Sequence, residues 1–177
     1  MMKATGIVRR IDDLGRIVIP KEIRRTLHIR ESDPLEIFTD REGQVILKKY
    51  SPIGEMTTFA KQYAESLAQV SGHATLIADR DQFIAVSGGC KQLLNKSVSR
   101  QLEEKVNNRE TVIAAKGDRN YVIAVDYAWQ LITPIICEGD IIGSVILLEN
   151  DGKSKMGEVE QKLALSAAGF LGRQMEQ

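Results

Sequence analysis

A proline and a glycine within the run Tyr50–Ser51–Pro52–Ile53–Gly54 separate two parts of the chain that have different patterns. Before this run, short apolar segments alternate with turns, whereas an amphipathic helical pattern begins directly behind it. We therefore expect a head domain at 1–50, a linker at 51–55 and a rear domain at 56–177. A chain of 177 residues has room for two small domains of this kind.

The head pattern predicts the order strand, strand, short helix, strand, strand. Thr5–Ile11 and Arg16–Ile19 are strand candidates around a turn, and Lys21–Leu27 is a helix of about two turns. Leu35–Thr39 and Gln44–Lys49 read as a β-hairpin. A unit of this size without a disulfide or a metal buries too little surface to stand alone, so oligomerisation is the remaining way to stabilise it. We expect a dimer whose core is shared between two chains.

The charge of the chain is unevenly distributed. The formal net charge is zero, which by itself argues against a nucleic-acid-binding protein. Residues 1–30 nevertheless carry eight basic and three acidic side chains, a net charge of +5. The basic residues are Lys3, Arg9, Arg10, Arg16, Lys21, Arg24, Arg25 and Arg30. Because the planar fork of arginine suits phosphates and guanine edges, this segment predicts a DNA-binding surface.

Two other interpretations of these arginines are open. Any single arginine is equally well explained as a solvated surface residue that pairs with an acidic neighbour, namely Asp12, Asp13 or Glu22. RNA is a less suitable target, because Phe38 and Tyr50 are the only aromatic residues of the head and single-strand readers need stacking platforms. The lone short helix also has no partner with which to form a helix-turn-helix.

The rear pattern predicts an α+β domain, an antiparallel sheet with helices at its beginning and end. The expected helices are 55–70, 97–107 and 156–175, and the expected strands are 73–78, 83–87, 121–126, 129–137 and 141–149. The apolar faces of the first and last helices suit either their own core or a subunit interface. Ala167–Gly169 and Gly172 would permit close approach of another helix.

No catalytic or metal-binding set is present in the sequence. Ser87–Lys91 lacks the glycine spacing and the ending of a phosphate loop. His28 and His73 have no acidic residue at ligand spacing, and Cys90 and Cys137 have no histidine nearby, so two reduced thiols are expected. We predict a protein that is not an enzyme and has no cofactor or metal. With no apolar leader segment at its start, the chain is expected to be cytoplasmic.

Residues 3–50 resemble the swapped-hairpin DNA-binding domain of AbrB-type transition-state regulators, and the whole chain is similar to sporulation regulators of that type. The similarity implies a dimeric swapped-hairpin β-barrel in which Arg9, Arg16, Arg24 and Arg25 contact double-stranded DNA. Lys3 and Arg10 are weaker assignments. The similarity further implies a GAF-like rear domain with a possible unidentified effector and a tetramer joined through helices. It also implies activation and repression of genes in the forespore.

The sequence leaves two other functions to be compared with this one, an antitoxin and a small-molecule enzyme. An antitoxin would bind its own promoter through the head and neutralise a toxin with the rear, but such tails are usually extended, whereas residues 56–177 are patterned as a folded core. A small-molecule enzyme in the rear domain lacks catalytic residues. Resistance of the rear domain to proteolysis discriminates between the regulator and the antitoxin.

Overall fold

The computed structural model describes residues 5–118, 121–122, 127–152 and 155–176. The chain forms two compact units, Met1–Tyr50 and Ser51–Gln177, which we call the head and the rear unit. The predicted α+β class is confirmed: helices accompany antiparallel sheets in both units. None of the described helices is long and apolar enough to span a membrane.

The head contains one helix and one hairpin. Helix α1 (Lys21–Thr26) begins after Pro20, whose carbonyl oxygen accepts the Arg24 N–H at 3.0 Å. Strands β1 (Leu35–Thr39) and β2 (Val45–Lys49) pair antiparallel, with Leu35 opposite Lys49. This helix and this hairpin agree with the sequence pattern to within one residue at each end.

The first two predicted strands of the head are not formed. Residues 5–11 and 16–19 have no ladder partner, and the described part of the head has one two-stranded sheet and no closed barrel. Strand assignment needs hydrogen bonds to a neighbour, and the single chain offers these segments none. The prediction of strands here was therefore wrong for the isolated chain.

The head has almost no core of its own. Pro20 is the only buried residue among residues 5–50. Eleven large apolar side chains in this range are exposed: Ile7, Val8, Ile11, Leu14, Ile17, Val18, Leu27, Ile37, Val45, Leu47 and Tyr50. Soluble proteins rarely leave so many large apolar side chains together in water, so this surface is incomplete without a partner.

The rear unit is built on a five-stranded antiparallel sheet of order β4-β3-β7-β6-β5. Its strands are β3 (Ala74–Asp79), β4 (Phe83–Ser87), β5 (Val112–Ala115), β6 (Trp129–Cys137) and β7 (Asp140–Glu149). Its helices are α2 (Pro52–Glu55), α3 (Thr57–Ser71), α4 (Arg100–Asn107) and α5 (Glu158–Gln174), with a 3-10 turn at Lys91–Leu93. Helices α3 and α5 pack on one face of the sheet, and α4 with the 3-10 turn packs on the other.

Two parts of the rear unit differ from the pattern. Residues 51–55, expected as a linker, form α2, in which the Ser51 hydroxyl accepts the Gly54 N–H and Ile53 is fully buried. Strand β5 was not anticipated. The strand expected near 121–126 is not formed at Tyr121–Val122, and its remaining residues lie outside the described ones.

The two glycines of α5 have different surroundings: one lies against the sheet and the other is exposed. A Cβ atom on Gly172 would overlap the carbonyl oxygen of Ile136 in β6, so glycine is what lets the helix lie against this strand. Gly169, one turn earlier, is exposed, and a Cβ there would meet only the end of the Arg173 side chain, 4.0 Å away. At Gly172 the close approach is therefore to a strand and not to another helix.

Candidate nucleic-acid interface

The arginines identified from the sequence lie on two segments of the head. Arg9 and Arg10 are exposed just before the turn Asp12–Arg16, which we call the tip turn, and Arg16 is exposed as its last residue. Arg24 is half-buried and Arg25 exposed, both in the last turn of α1. Lys3 lies outside the described residues. Within the described residues, no hydrogen bond or ion pair joins the side chains of α1 to the tip turn.

Most of these arginines are not neutralised by an acidic neighbour. Among the described residues, an ion pair is found for Arg16 alone of the five, with its Nε 2.8 Å from Oδ2 of Asp12. The alternative in which each arginine pairs with a nearby acid is therefore realised at one position. The other four guanidinium groups keep their full charge available for an anionic partner.

The tip turn is closed by both backbone and side chain. The Asp12 N–H donates to the Arg16 carbonyl at 3.1 Å, and Gly15, with φ of 75°, donates its N–H to the Asp12 carbonyl at 3.0 Å. Oδ1 of Asp12 accepts the N–H groups of Arg16 at 2.7 Å and of Leu14 at 3.1 Å. The pKa of Asp12 is lowered, first by the backbone N–H of Arg16 and next by its side chain.

Helix α1 presents its arginines in a favourable electrostatic position. Glu22 lies in the first turn, and Arg24 and Arg25 lie in the last turn, as the helix dipole favours. The helix has no buried residue and is only six residues long, too short to be stable in water without packing. The segment that carries Arg24 and Arg25 therefore depends on contacts that a single head does not supply.

Residues 55–176 match the family model described as "Stage V sporulation protein T C-terminal, transcription factor". The chain is also 56% identical over 180 residues to stage V sporulation protein T of Bacillus subtilis (strain 168), an alignment that covers 99% of this chain and 100% of that protein. The chain belongs to the stage V sporulation protein T family. It is thus a transcription factor, and the resemblance seen in the sequence is confirmed.

The head is related to a second group of regulators. The chain is 43% identical over 108 residues to the transition state regulatory protein AbrB of the same strain, covering 61% of this chain and 93% of that protein. Residues 8–55 match the family model described as "Antidote-toxin recognition MazE, bacterial antitoxin". The AbrB-like character of the head is therefore established.

The rear unit has the fold of GAF domains. Its neighbours include the GAF domain of an Acinetobacter phosphoenolpyruvate-protein phosphotransferase, with a TM-score of 0.58 at 10% identity over 68% of this chain and 81% of that one. At this identity the likeness concerns the fold alone. The GAF-like fold expected from the resemblance is confirmed.

Sequence reasoning missed the part that Asp12 plays beside Arg16. In the sequence Asp12 is one of several possible acidic neighbours, and nothing singles it out as the residue that both closes the turn and holds the guanidinium group. A signal was present: an aspartate followed three residues later by glycine occurs twice in the head, at Asp12–Gly15 and at Asp40–Gly43. Both places form the same kind of turn.

Proposed function

We propose that this transcription factor binds double-stranded DNA through arginines contributed by two interleaved heads. The contacting residues would be Arg9, Arg16, Arg24 and Arg25 of each chain, with Arg10 and Lys3 in supporting positions. The observation that carries the proposal is the surface of the head, where charged arginines and unburied apolar side chains occur on the same short segments.

The exposed apolar residues support the dimer. Each large aliphatic side chain that leaves water contributes about 1.5–3 kcal/mol, so burial of even part of this set in a shared core would outweigh the cost of association. The segments 5–11 and 16–19 also have backbone N–H and C=O groups without ladder partners. Strands from a second chain would satisfy these groups and bury the apolar residues together.

The nature of the side chains supports duplex DNA as the target. The four arginines lie on segments with no aromatic residue, so stacking on unpaired bases is not available there. Arginine forks fit phosphate oxygens and the O6/N7 edge of guanine in the major groove. Two chains would bring eight such groups to one surface, which suits the closely spaced charges of a duplex.

We propose that the rear unit joins two dimers into a tetramer through the outer side of α3 and α5. Three aromatic rings meet between these helices: the Tyr63 and Phe170 ring centroids are 5.4 Å apart, and those of Phe59 and Phe170 are 5.9 Å apart. On the same helices Val70 and Val159 are 71% and 66% exposed. Light scattering of the full chain is expected to give a mass of four chains.

The DNA proposal is tested by replacing Arg9, Arg16, Arg24 and Arg25 singly with alanine. Each change is expected to weaken duplex binding by about tenfold and to make the salt dependence shallower by about one to two charges per dimer, without changing the oligomer. Arg100→Ala is the matched control, because this arginine of the rear unit is 87% exposed and should leave binding unchanged. Unaltered affinity in all four head variants would remove the assignment.

The relatives support a role in sporulation. One of them is named for stage V of that process, which favours genes of the developing forespore as targets, activated or repressed. A regulator of chromosomal genes would act in the cytoplasm. Because the matched family is one of transcription factors, we expect regulation by binding and not catalysis.

The antitoxin is the second candidate, since the antitoxin family model matches residues 8–55. The rear unit argues against it, because its helices and strands pack into two buried clusters, unlike an extended toxin-binding tail. Limited proteolysis of the full chain discriminates between the two functions. A resistant fragment that begins near residue 51 is expected for the regulator, and rapid digestion of the rear unit for the antitoxin.

A further inference from the structure

The head contains two turns with the same construction. In the tip turn, Oδ1 of Asp12 accepts the N–H groups two and four residues ahead, at 3.1 and 2.7 Å. In the β1–β2 turn, Oδ1 of Asp40 accepts the corresponding N–H groups of Glu42 and Gln44, at 2.9 and 2.8 Å. Gly15 and Gly43 take the left-handed conformation at the matching position, with φ of 75° and 80°. Each aspartate thus closes its turn in the same way.

The two turns differ at their last residue. Arg16 ends the tip turn and donates its side-chain Nε to the second carboxylate oxygen of Asp12 at 2.8 Å. Gln44 ends the other turn and donates its amide to Glu42 instead, at 2.9 Å. Closing the turn requires one oxygen of the aspartate, and at the tip the other oxygen holds an arginine.

The contact with Asp12 fixes the orientation of the Arg16 guanidinium group. With Nε engaged by Asp12, the two terminal amino groups of Arg16 remain as a fork for other acceptors, and the side chain is 69% exposed. A fork held in one orientation fits two acceptors at a defined spacing, such as O6 and N7 of guanine, better than it fits irregularly placed phosphates. An ion pair this exposed contributes little stability, so its effect is mainly orientation.

The negative charge of Asp12 also favours contact of Arg16 with a base edge over non-specific contact with phosphates. Its lowered pKa means that the carboxylate is ionised at neutral pH. A negative group beside Arg16 repels phosphates and weakens contacts made by charge alone. Binding in which the fork pairs with a base edge gains from the fixed orientation, whereas non-specific binding is penalised.

We propose that Asp12 is a specificity-determining residue: it positions the Arg16 fork for a base edge and disfavours non-specific contact with the DNA backbone. The inference rests on the proposed function, because it requires Arg16 to contact DNA. Asp12 itself acts through Arg16 and makes no contact with the duplex.

Asp12→Asn tests the proposal, because asparagine keeps the oxygen that closes the turn and loses the charged oxygen that holds Arg16. Two matched variants separate the alternatives. Asp13→Asn removes a neighbouring exposed charge without touching Arg16, and Asp40→Asn changes the same turn position where the last residue of the turn is Gln44 and not an arginine. The probes are the duplex that the full-length wild-type protein enriches most from a randomised pool and a scrambled duplex of equal composition.

The expected result is a ratio of affinities for the two duplexes that falls about tenfold in Asp12→Asn, mainly because the scrambled duplex is bound more tightly. Asp13→Asn and Asp40→Asn should keep the wild-type ratio. An equal fall of the ratio in Asp12→Asn and Asp13→Asn would overturn the proposal, since charge alone would then act. So would an equal weakening of both duplexes in Asp12→Asn with a loss of thermal stability like that of Asp40→Asn, since Asp12 would then only close the turn.

Arg16→Ala distinguishes failure of this inference from failure of the proposed function. If Arg16→Ala lowers the ratio and Asp12→Asn does not, the inference is wrong and the role of Arg16 in DNA binding stands. If Arg16→Ala changes neither affinity, Arg16 does not contact DNA, and both the site assignment at this position and the inference are lost.

Discussion

Ile17→Asp is expected to abolish duplex binding although it removes no basic residue. Ile17 is 55% exposed in the single chain and directly follows Arg16. If residues 16–19 become a strand in the dimer, the two side chains point to opposite faces. If Arg16 faces DNA, Ile17 faces the core that two heads share. An unpaired carboxylate in that core costs several kcal/mol per chain, and the dimer contains it twice. Gel-shift titration should show a loss of affinity of at least about a hundredfold.

Ile17→Val is the matched control, because it keeps an apolar side chain of nearly the same shape at this position. It is expected to change binding by less than about threefold, in line with a cost of about 0.5–1.5 kcal/mol that the dimer can absorb. Analytical ultracentrifugation should detect the dimeric head contact in Ile17→Val and its loss in Ile17→Asp. Wild-type affinity in Ile17→Asp would show that this residue stays in water and that the shared core is built differently.

Gly172→Ala is expected to lower the free energy of unfolding of the rear unit by about 2–3 kcal/mol. The added Cβ would overlap the backbone carbonyl oxygen of Ile136, and a backbone group of β6 cannot move aside as the end of a flexible side chain does. The gain of about 1 kcal/mol that alanine usually brings inside a helix would reduce the loss only in part. Urea denaturation followed by circular dichroism measures the difference.

Gly169→Ala is the control in the same helix. This glycine is exposed, and its added Cβ would lie 4.0 Å from Nη2 of Arg173, an ordinary contact with the end of a flexible side chain. The helix propensity of alanine should therefore raise stability by about 0.5–1 kcal/mol. The two substitutions are chemically identical and are expected to have opposite signs. A stabilising effect at both positions would mean that α5 does not lie against β6 as described.

The rear unit was predictable to a large extent because its strands and helices have strong local patterns. The bounds of β4 and β6 agree with the sequence prediction, since both strands are mostly apolar and largely buried. The short β5 was missed because four residues give too little periodicity. Helix α2 was missed although Ser51 and Pro52 form a common helix start, because the same residues also indicate a linker.

The head shows the limit of sequence reasoning. Thr5–Ile11 and Arg16–Ile19 have the composition of strands, but whether they form strands depends on a partner that the single chain does not contain. The basic residues could be selected from composition and from resemblance to AbrB-type proteins. The contact of Arg16 with Asp12 could not, because it follows from how the turn closes and not from the types of residue present.

The salt dependence of duplex binding tests most directly whether two chains form one DNA-binding surface. A duplex of about two helical turns, titrated with limiting wild-type protein, would engage a single pair of heads. If the arginines of both chains neutralise six to eight phosphates, the slope of log affinity against log salt is about −5 to −7. A slope no steeper than about −4, the limit for the four arginines of one chain, would contradict the account.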